Sequence, residues 1–292
     1  MCKSGFSLKK YVHHKSKNGF FVSGLLLIFI ICTTGAMAQG NLLITPRRVV
    51  FDGAKRVMEL NLANTGQDTA KYNVSIIQYR MREDGSFEEI TQPDPGQNFA
   101  DKNIRFFPRT VTLGPNEAQV VKMQTTNTDK LAPGEYRSHV YFRAVPNQVA
   151  LGEEAALKDS TTVSVKLIPI FGITIPVIIR VGVSTTKVTL TDLKMEMVND
   201  TINRLGISFN RTGNMSVYGD LRVMHVSPAG IATQVGVVNG IAVYTPNSVR
   251  RFRMELNKKA RVDYRTGSLK VTYSAQSDTK PEKFAEAELK LQ

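Results

Sequence analysis

Residues 163–180 read VSVKLIPIFGITIPVIIR, and this stretch decides the fold. It is the longest nearly uncharged, β-branched run beyond the amino-terminal segment. Val163, Val165 and Leu167 alternate with Ser164, Lys166 and Ile168, the two-residue period of a strand with one apolar and one mixed face. Pro169 removes a ladder donor and Gly172 loosens the backbone, so a bulge or register shift is expected between them. From Ile173 to Val181 nearly every position is apolar, as in a strand covered on both faces. A transmembrane helix is the competing interpretation. Two prolines, a glycine, a lysine and heavy β-branching weigh against it. The alternation ahead of the buried half fits either ordinary sandwich core or a strand edge kept for a partner.

The amino-terminal end bounds the compartment. Residues 1–38 carry five lysines and no acid, then an apolar run from Leu25 to Ile31, then Ala36-Met37-Ala38. This order predicts a secretory signal cleaved after Ala38, leaving a chain that starts at Gln39 and runs for 254 of the 292 residues. Cys2 and Cys32 both fall within the removed segment, which excludes a disulfide, a thiol nucleophile or a thiolate metal site from the mature chain. Lipidation at Cys32 is the minor alternative. Five of the 38 basic residues leave as well, so 33 face 25 acids, an excess of +8. Such an excess fits a generally basic surface or a patch that meets carboxylates. Export, and the lack of a basic helix or an aromatic-basic motif, exclude nucleic acid as a partner.

Beyond the signal the pattern is almost wholly strand. Apolar and polar residues alternate around 58–63 and 285–291, and in runs at 71–81, 105–113, 118–125, 136–145, 187–198, 206–209, 220–226, 240–244, 250–256 and 268–273. Turn chemistry separates them, as at Glu83-Asp84-Gly85, Gly114-Pro115-Asn116 and Pro228-Ala229-Gly230. No amphipathic helix longer than a turn or two is visible, and no integral membrane segment is expected after signal cleavage. Strands so regularly spaced predict an all-β chain of two sandwiches, residues 39–181 and 182–292, with the boundary at 181–184 and a long loop at 147–162.

Chemistry is sparse. His139 and His225 lie far apart in strand patterns without metal-ligand spacing. No phosphate-cradling loop, nucleophile elbow or zinc-binding helix is present. Pairs such as Glu88-Glu89 and Glu153-Glu154 sit in loop-like contexts as solvated faces. The residues point to no catalysis, no cofactor and no metal. A hydrolase would need clustered acids in a pocket.

Five segments taken in order carry a resemblance: RVVFDG beginning at Arg48, LNLANTG with Asn64, FFPRTVTLGPNEAQVVKM, GEYRSHVYFRAVP, and the 163–180 strand. Across residues 41–181 they resemble the amino-terminal domain of periplasmic pilus-assembly chaperones, the PapD-like family. Farther on, RVDYRTGSLKVTY, with Asp263, is similar to part of that family's second domain.

The resemblance implies two immunoglobulin-like β-sandwich domains set at an angle around a cleft, in a periplasmic chaperone for pilus or fimbria-like subunits. Its long strand would lend alternating apolar side chains to a subunit lacking its last strand, here Val163, Val165 and Leu167. Such a subunit exposes an apolar groove and unpaired backbone groups, an aggregation hazard that a borrowed strand caps. The family also anchors the subunit's terminal carboxylate with two cleft cations. The arginine falls at Arg48. The lysine's register falls on Thr174, which leaves Lys166 in a shifted register, Arg180 or Arg47 for the second cation. An ion pair between Arg137 and Asp263 is expected to tie the domains. An outer-membrane usher is a possible further partner within the family pattern. The alternative is a structural or binding module of a surface assembly that holds its partner permanently.

Overall fold

In the computed structural model of the protein, the described residues are 42–53, 55–146, 169–199, 201–258, 262–276 and 282–291. Alternation along each strand decides which side chains meet. In the first half, one sheet runs in the order β1 (Leu42–Thr45), β3 (Val57–Asn64), β9 (Ala118–Thr125), β7 (Ile104–Phe107). The facing sheet runs β2 (Val49–Asp52), β11 (Gly172–Val181), β10 (Gly134–Val145), β4 (Ala70–Ile77), β8 (Thr110–Leu113). Leu60, Leu62, Val121 and Met123 of the first sheet meet Val140, Phe142, Val177 and Ile179 of the second in one apolar core. Each fully buried side chain of this kind contributes about 1.5–3 kcal/mol of burial. This is an immunoglobulin-like sandwich.

The second half repeats the scheme. Strands β12 (Lys187–Val198), β13 (Ile202–Thr212) and β16 (Val249–Glu255) form one sheet. β15 (Ala232–Val243), β14 (Val217–Val226), β17 (Ser268–Ser274) and β18 (Lys283–Lys290) form the other. Leu205, Phe209, Leu221, Leu269 and Tyr273 fill a separate core between them. A two-stranded hairpin and two short 3-10 turns complete the secondary structure of the described residues, where no helix is long and apolar enough to cross a membrane.

Several expected runs are drawn differently in the structure, 206–209 being the middle of the longer β13. The 71–81 run breaks after Ile77, where the chain leaves the sheet and β5 (Tyr79–Met81) pairs instead with β6 (Phe87–Glu89). The 105–113 run breaks at Pro108, which has no N–H to give a ladder. The 240–244 run is the tail of the longer β15, which begins at Ala232 and carries Gly236 and register shifts along its pairing with β14. The long strand begins at Gly172, after the proline, and residues 147–168 lie outside the described residues. So do the expected signal and the 147–162 loop.

The β5–β6 hairpin ties the halves together. It turns through Gly85, whose φ of +85° suits glycine. Met81 is buried with Ala242 and Tyr244 in a small third cluster that Tyr218 flanks. Asn247 Nδ2 donates to the Met81 carbonyl at 2.6 Å, and the Arg251 N–H donates to the Glu83 carbonyl at 2.6 Å. Glu83 and Arg251 also form an ion pair. Residues Gly40–Gln292 accordingly make one compact unit.

Candidate functional site: an arginine-rich cleft

Strand β10 carries an unusual face. Its even positions, Val140 and Phe142, enter the first core, while Glu135, Arg137 and His139 point the other way. A charged outward face would normally be wet. Here the three residues are only 2 %, 4 % and 4 % exposed, because Ser216 and Tyr244 of the second sandwich cover Glu135 and Arg137, and Tyr79 and Phe87 of the hairpin pack with Tyr244 on His139.

Glu135 is the hub. Its Oε1 accepts from Arg137 Nη2 at 2.5 Å. Its Oε2 accepts from the Ser216 backbone N–H at 3.0 Å, the Ser216 hydroxyl at 2.6 Å and Arg180 Nε at 3.4 Å. Ser216 precedes β14, so these bonds cross from one sandwich to the other. Arg137 Nη2 also donates to the Ser216 hydroxyl at 2.7 Å, and Arg180 Nη2 to the Ser216 carbonyl at 2.9 Å. Burial alone would raise the Glu135 carboxyl. The field of Arg137, the Ser216 hydroxyl and Arg180 outweighs it and holds the group down at about 2.

Arg48, immediately ahead of β2, enters the same space. Burial, then repulsion from Arg137 and Arg180, lowers its guanidinium to about 10. Its ring partner is Tyr218, 4.3 Å from the guanidinium carbon, while Arg137 stacks on Tyr244 at 3.5 Å. Arg48 Nε, Arg137 Nε and Arg137 Nη1 are buried with no hydrogen-bond partner. Three guanidiniums therefore share one carboxylate. Surplus cations and idle donors leave such a site able to pair with an anion. It opens into a cleft of about 860 Å³ whose lining includes Arg48, Arg180, Lys187 and Lys283 against the single acid Glu282.

Along β11 the ladder is lopsided. Residues Val177–Arg180 pair with β2 on one side and β10 on the other. Among the described residues, Gly172 to Pro176 pair with β10 alone, so their other edge is open just short of Arg48. Phe171 and Ile173 continue the odd-numbered series that buries Ile175, Val177 and Ile179. Phe171 is nonetheless 52 % exposed.

The expected site residues fare unequally. Arg48 lies in the cleft, as does Arg180. Thr174 shares the Arg180 face of β11 but sits six residues away, ~20 Å along a strand, and carries no charge. Val163, Val165, Lys166 and Leu167 lie outside the described residues. The expected Arg137–Asp263 pair is not formed. Arg137 is engaged by Glu135 and Ser216, whereas Asp263 takes both Nε and Nη2 of Arg265, at 2.9 and 3.2 Å, in its own exposed turn. Each charge has a local partner that needs less chain ordering than a long-range one. The residues the sequence did not single out are Glu135, Ser216, Tyr218 and Tyr244. One signal was present: Glu135, Arg137 and His139 at i, i+2 and i+4 give β10 a polar face of its own.

Among the described residues, no group of three or more His, Cys, Asp or Glu could hold a metal ion. His139 sits among Tyr79, Phe87 and Tyr244, and His225 bonds the Thr266 carbonyl at 2.9 Å.

No protein-family profile matches the chain, and no curated protein matches it. Solved structures of pilus and fimbrial chaperones match across most of it. The YadV chaperone is 13 % identical with a TM-score of 0.44, over 86 % of this chain and 100 % of its own. The CupB2 chaperone of Pseudomonas aeruginosa is 14 % identical with a TM-score of 0.40, over 86 % and 100 %. The SafB chaperone in complex with the SafA pilin, from Salmonella enterica, is 12 % identical with a TM-score of 0.39, over 86 % and 96 %. At these identities and TM-scores the likeness carries no argument about function.

Proposed function

We propose that this chain is a periplasmic chaperone for subunits of a pilus or fimbria-like surface fibre, working without catalysis. It acts as two domains, 39–181 and 182–292. A subunit strand pairs along the open edge ahead of Pro176, and its terminal carboxylate enters the cleft. The observation that carries this is the surplus of guanidinium over carboxylate at the closed end of that edge. Arg48 is the first anchor. Arg180, 23 % exposed at its side chain and lining the cleft, is the second in place of the lysine. A planar, permanently charged fork suits a carboxylate better than an ammonium does.

The apolar knobs are Val163, Val165 and Leu167, a series whose odd numbering Phe171 and Ile173 share. They fill the subunit's groove while the arginines fix its register. An outer-membrane usher is the partner to which the loaded chaperone delivers its subunit.

The test is co-purification from the periplasm, with the bound chain identified. Arg48→Ala and Val165→Asp are each expected to leave a folded, exported protein without its subunit. Losing one desolvated partner of a charge pair costs ~2–5 kcal/mol, enough to release a partner at cellular concentrations. Full recovery of the subunit with Arg48→Ala would overturn the anchor. Unfolding of Val165→Asp would make that strand ordinary core.

A further inference from the structure

We infer that Tyr218 is a positioning residue for the carboxylate anchor, its ring holding the Arg48 guanidinium so that the in-plane donors serve the cleft. This deepens the function proposed above and rests on it. Arg48 belongs to the first sandwich and Tyr218 to the second, yet the guanidinium carbon lies 4.3 Å from the ring centroid. Both residues line the same cleft. Stacking occupies the flat face of a guanidinium and leaves its N–H groups pointing outward in the plane. The buried Arg48 Nε has no hydrogen-bond partner, and among the described residues no carboxylate forms an ion pair with Arg48.

Tyr218 is itself held. It pairs with Ala242 across the β14–β15 ladder, whose register shifts between Gly219 and Leu221. Gly240, at φ +75°, leaves room for the tyrosine, since a Cβ there would lie 2.7 Å from the phenol oxygen. The Gly240 N–H is fixed in turn by Asp220 Oδ1 at 2.8 Å. A long arginine with no acid partner otherwise spreads over many rotamers, and ordering it on binding reduces affinity. The ring removes that cost in advance. It also makes the anchor two-sided, because Arg48 is aimed only when the second sandwich is in place.

The experiment uses the mature full-length protein and a short synthetic peptide alternating valine with threonine, made with a free terminal carboxylate and as its terminal carboxamide. Wild type is expected to prefer the acid by about thirtyfold. Tyr218→Phe keeps the ring and is expected to keep that ratio. Tyr218→Ala is expected to bring it close to one, with carboxamide binding unchanged. In the free protein, the Arg48 Nε–H resonance is expected to carry a ring-current shift in wild type and Tyr218→Phe that Tyr218→Ala loses.

A full acid preference in Tyr218→Ala, or a tighter one because the ring had been competing with the carboxylate, overturns the inference. Wild type that binds both peptides equally overturns the anchor proposal instead, and the positioning role with it. The resonance then still reports whether the stack exists. If Tyr218→Ala does not fold, Tyr218→Leu replaces it, and a retained preference there is equally fatal.

Discussion

Ser216 gives the Glu135 carboxylate both its backbone N–H and its hydroxyl, at 3.0 and 2.6 Å, across the junction of the two sandwiches. The acid is fully buried at its side chain, so its partners decide whether it stabilises or disrupts.

Glu135→Gln keeps the size but removes the charge that Arg137 and Arg180 face. A loss of ~3–5 kcal/mol is expected in urea unfolding. Ser216→Ala is expected to lose ~1–3 kcal/mol by leaving a buried acceptor short of a donor. The double variant loses less than the sum, since the two groups touch. Strict additivity would separate them energetically.

Arg48 presents the opposite case. It is a desolvated cation repelled by two others. Arg48→Met is expected to leave the free protein within ~1 kcal/mol of wild type or above it, while partner binding is lost. A thermal scan beside the co-purification checks this. A large loss of stability would make Arg48 a structural residue.

Acid is expected to weaken the fold in two steps. Burial, then Arg137, lowers the His139 imidazole from 6.5 to about 3. The unfolded chain therefore binds a proton that the folded one refuses, and stability falls as pH drops below 6.5, by up to ~1.4 kcal/mol per pH unit. Glu135, held at about 2 against an ordinary 4.5, adds a loss of the same sign below 4.5. His139→Gln is expected to flatten the first slope and leave the second. Unfolding free energy followed against pH for both proteins decides it.

In the hairpin, apolar burial outweighs visible charge. Met81→Ala is expected to cost ~2–5 kcal/mol. The Glu83–Arg251 pair, 55 % and 67 % exposed at its side chains, is expected to show a coupling of only ~0–1 kcal/mol in a double-mutant cycle. A larger coupling would make the ion pair the principal clasp.

Much of the architecture was legible in the sequence because alternation is a local property. The runs at 118–125 and 187–198 coincide with β9 and β12, and Glu83-Asp84-Gly85 lies in the turn of a hairpin. The place of Arg48 at the cleft was legible through its RVVFDG setting. Glu135 was not, because an acid beside a glycine ordinarily marks a wet strand end, and only the second sandwich dries it. Asp263 misled for the converse reason. Its segment resembles one that ties domains, but Arg265 two residues on satisfies it first. Tyr218 and Tyr244 owe their roles to the approach of two separately patterned halves, which no periodicity encodes.

The docked hairpin makes the peptide connection between β11 and β12 mechanically redundant. A protease that cut the chain between Val181 and Lys187 would leave two fragments still gripped by Met81 against Tyr244 and by Asn247 on the Met81 carbonyl. Such a nick would be seen in a denaturing gel and missed by a sizing column.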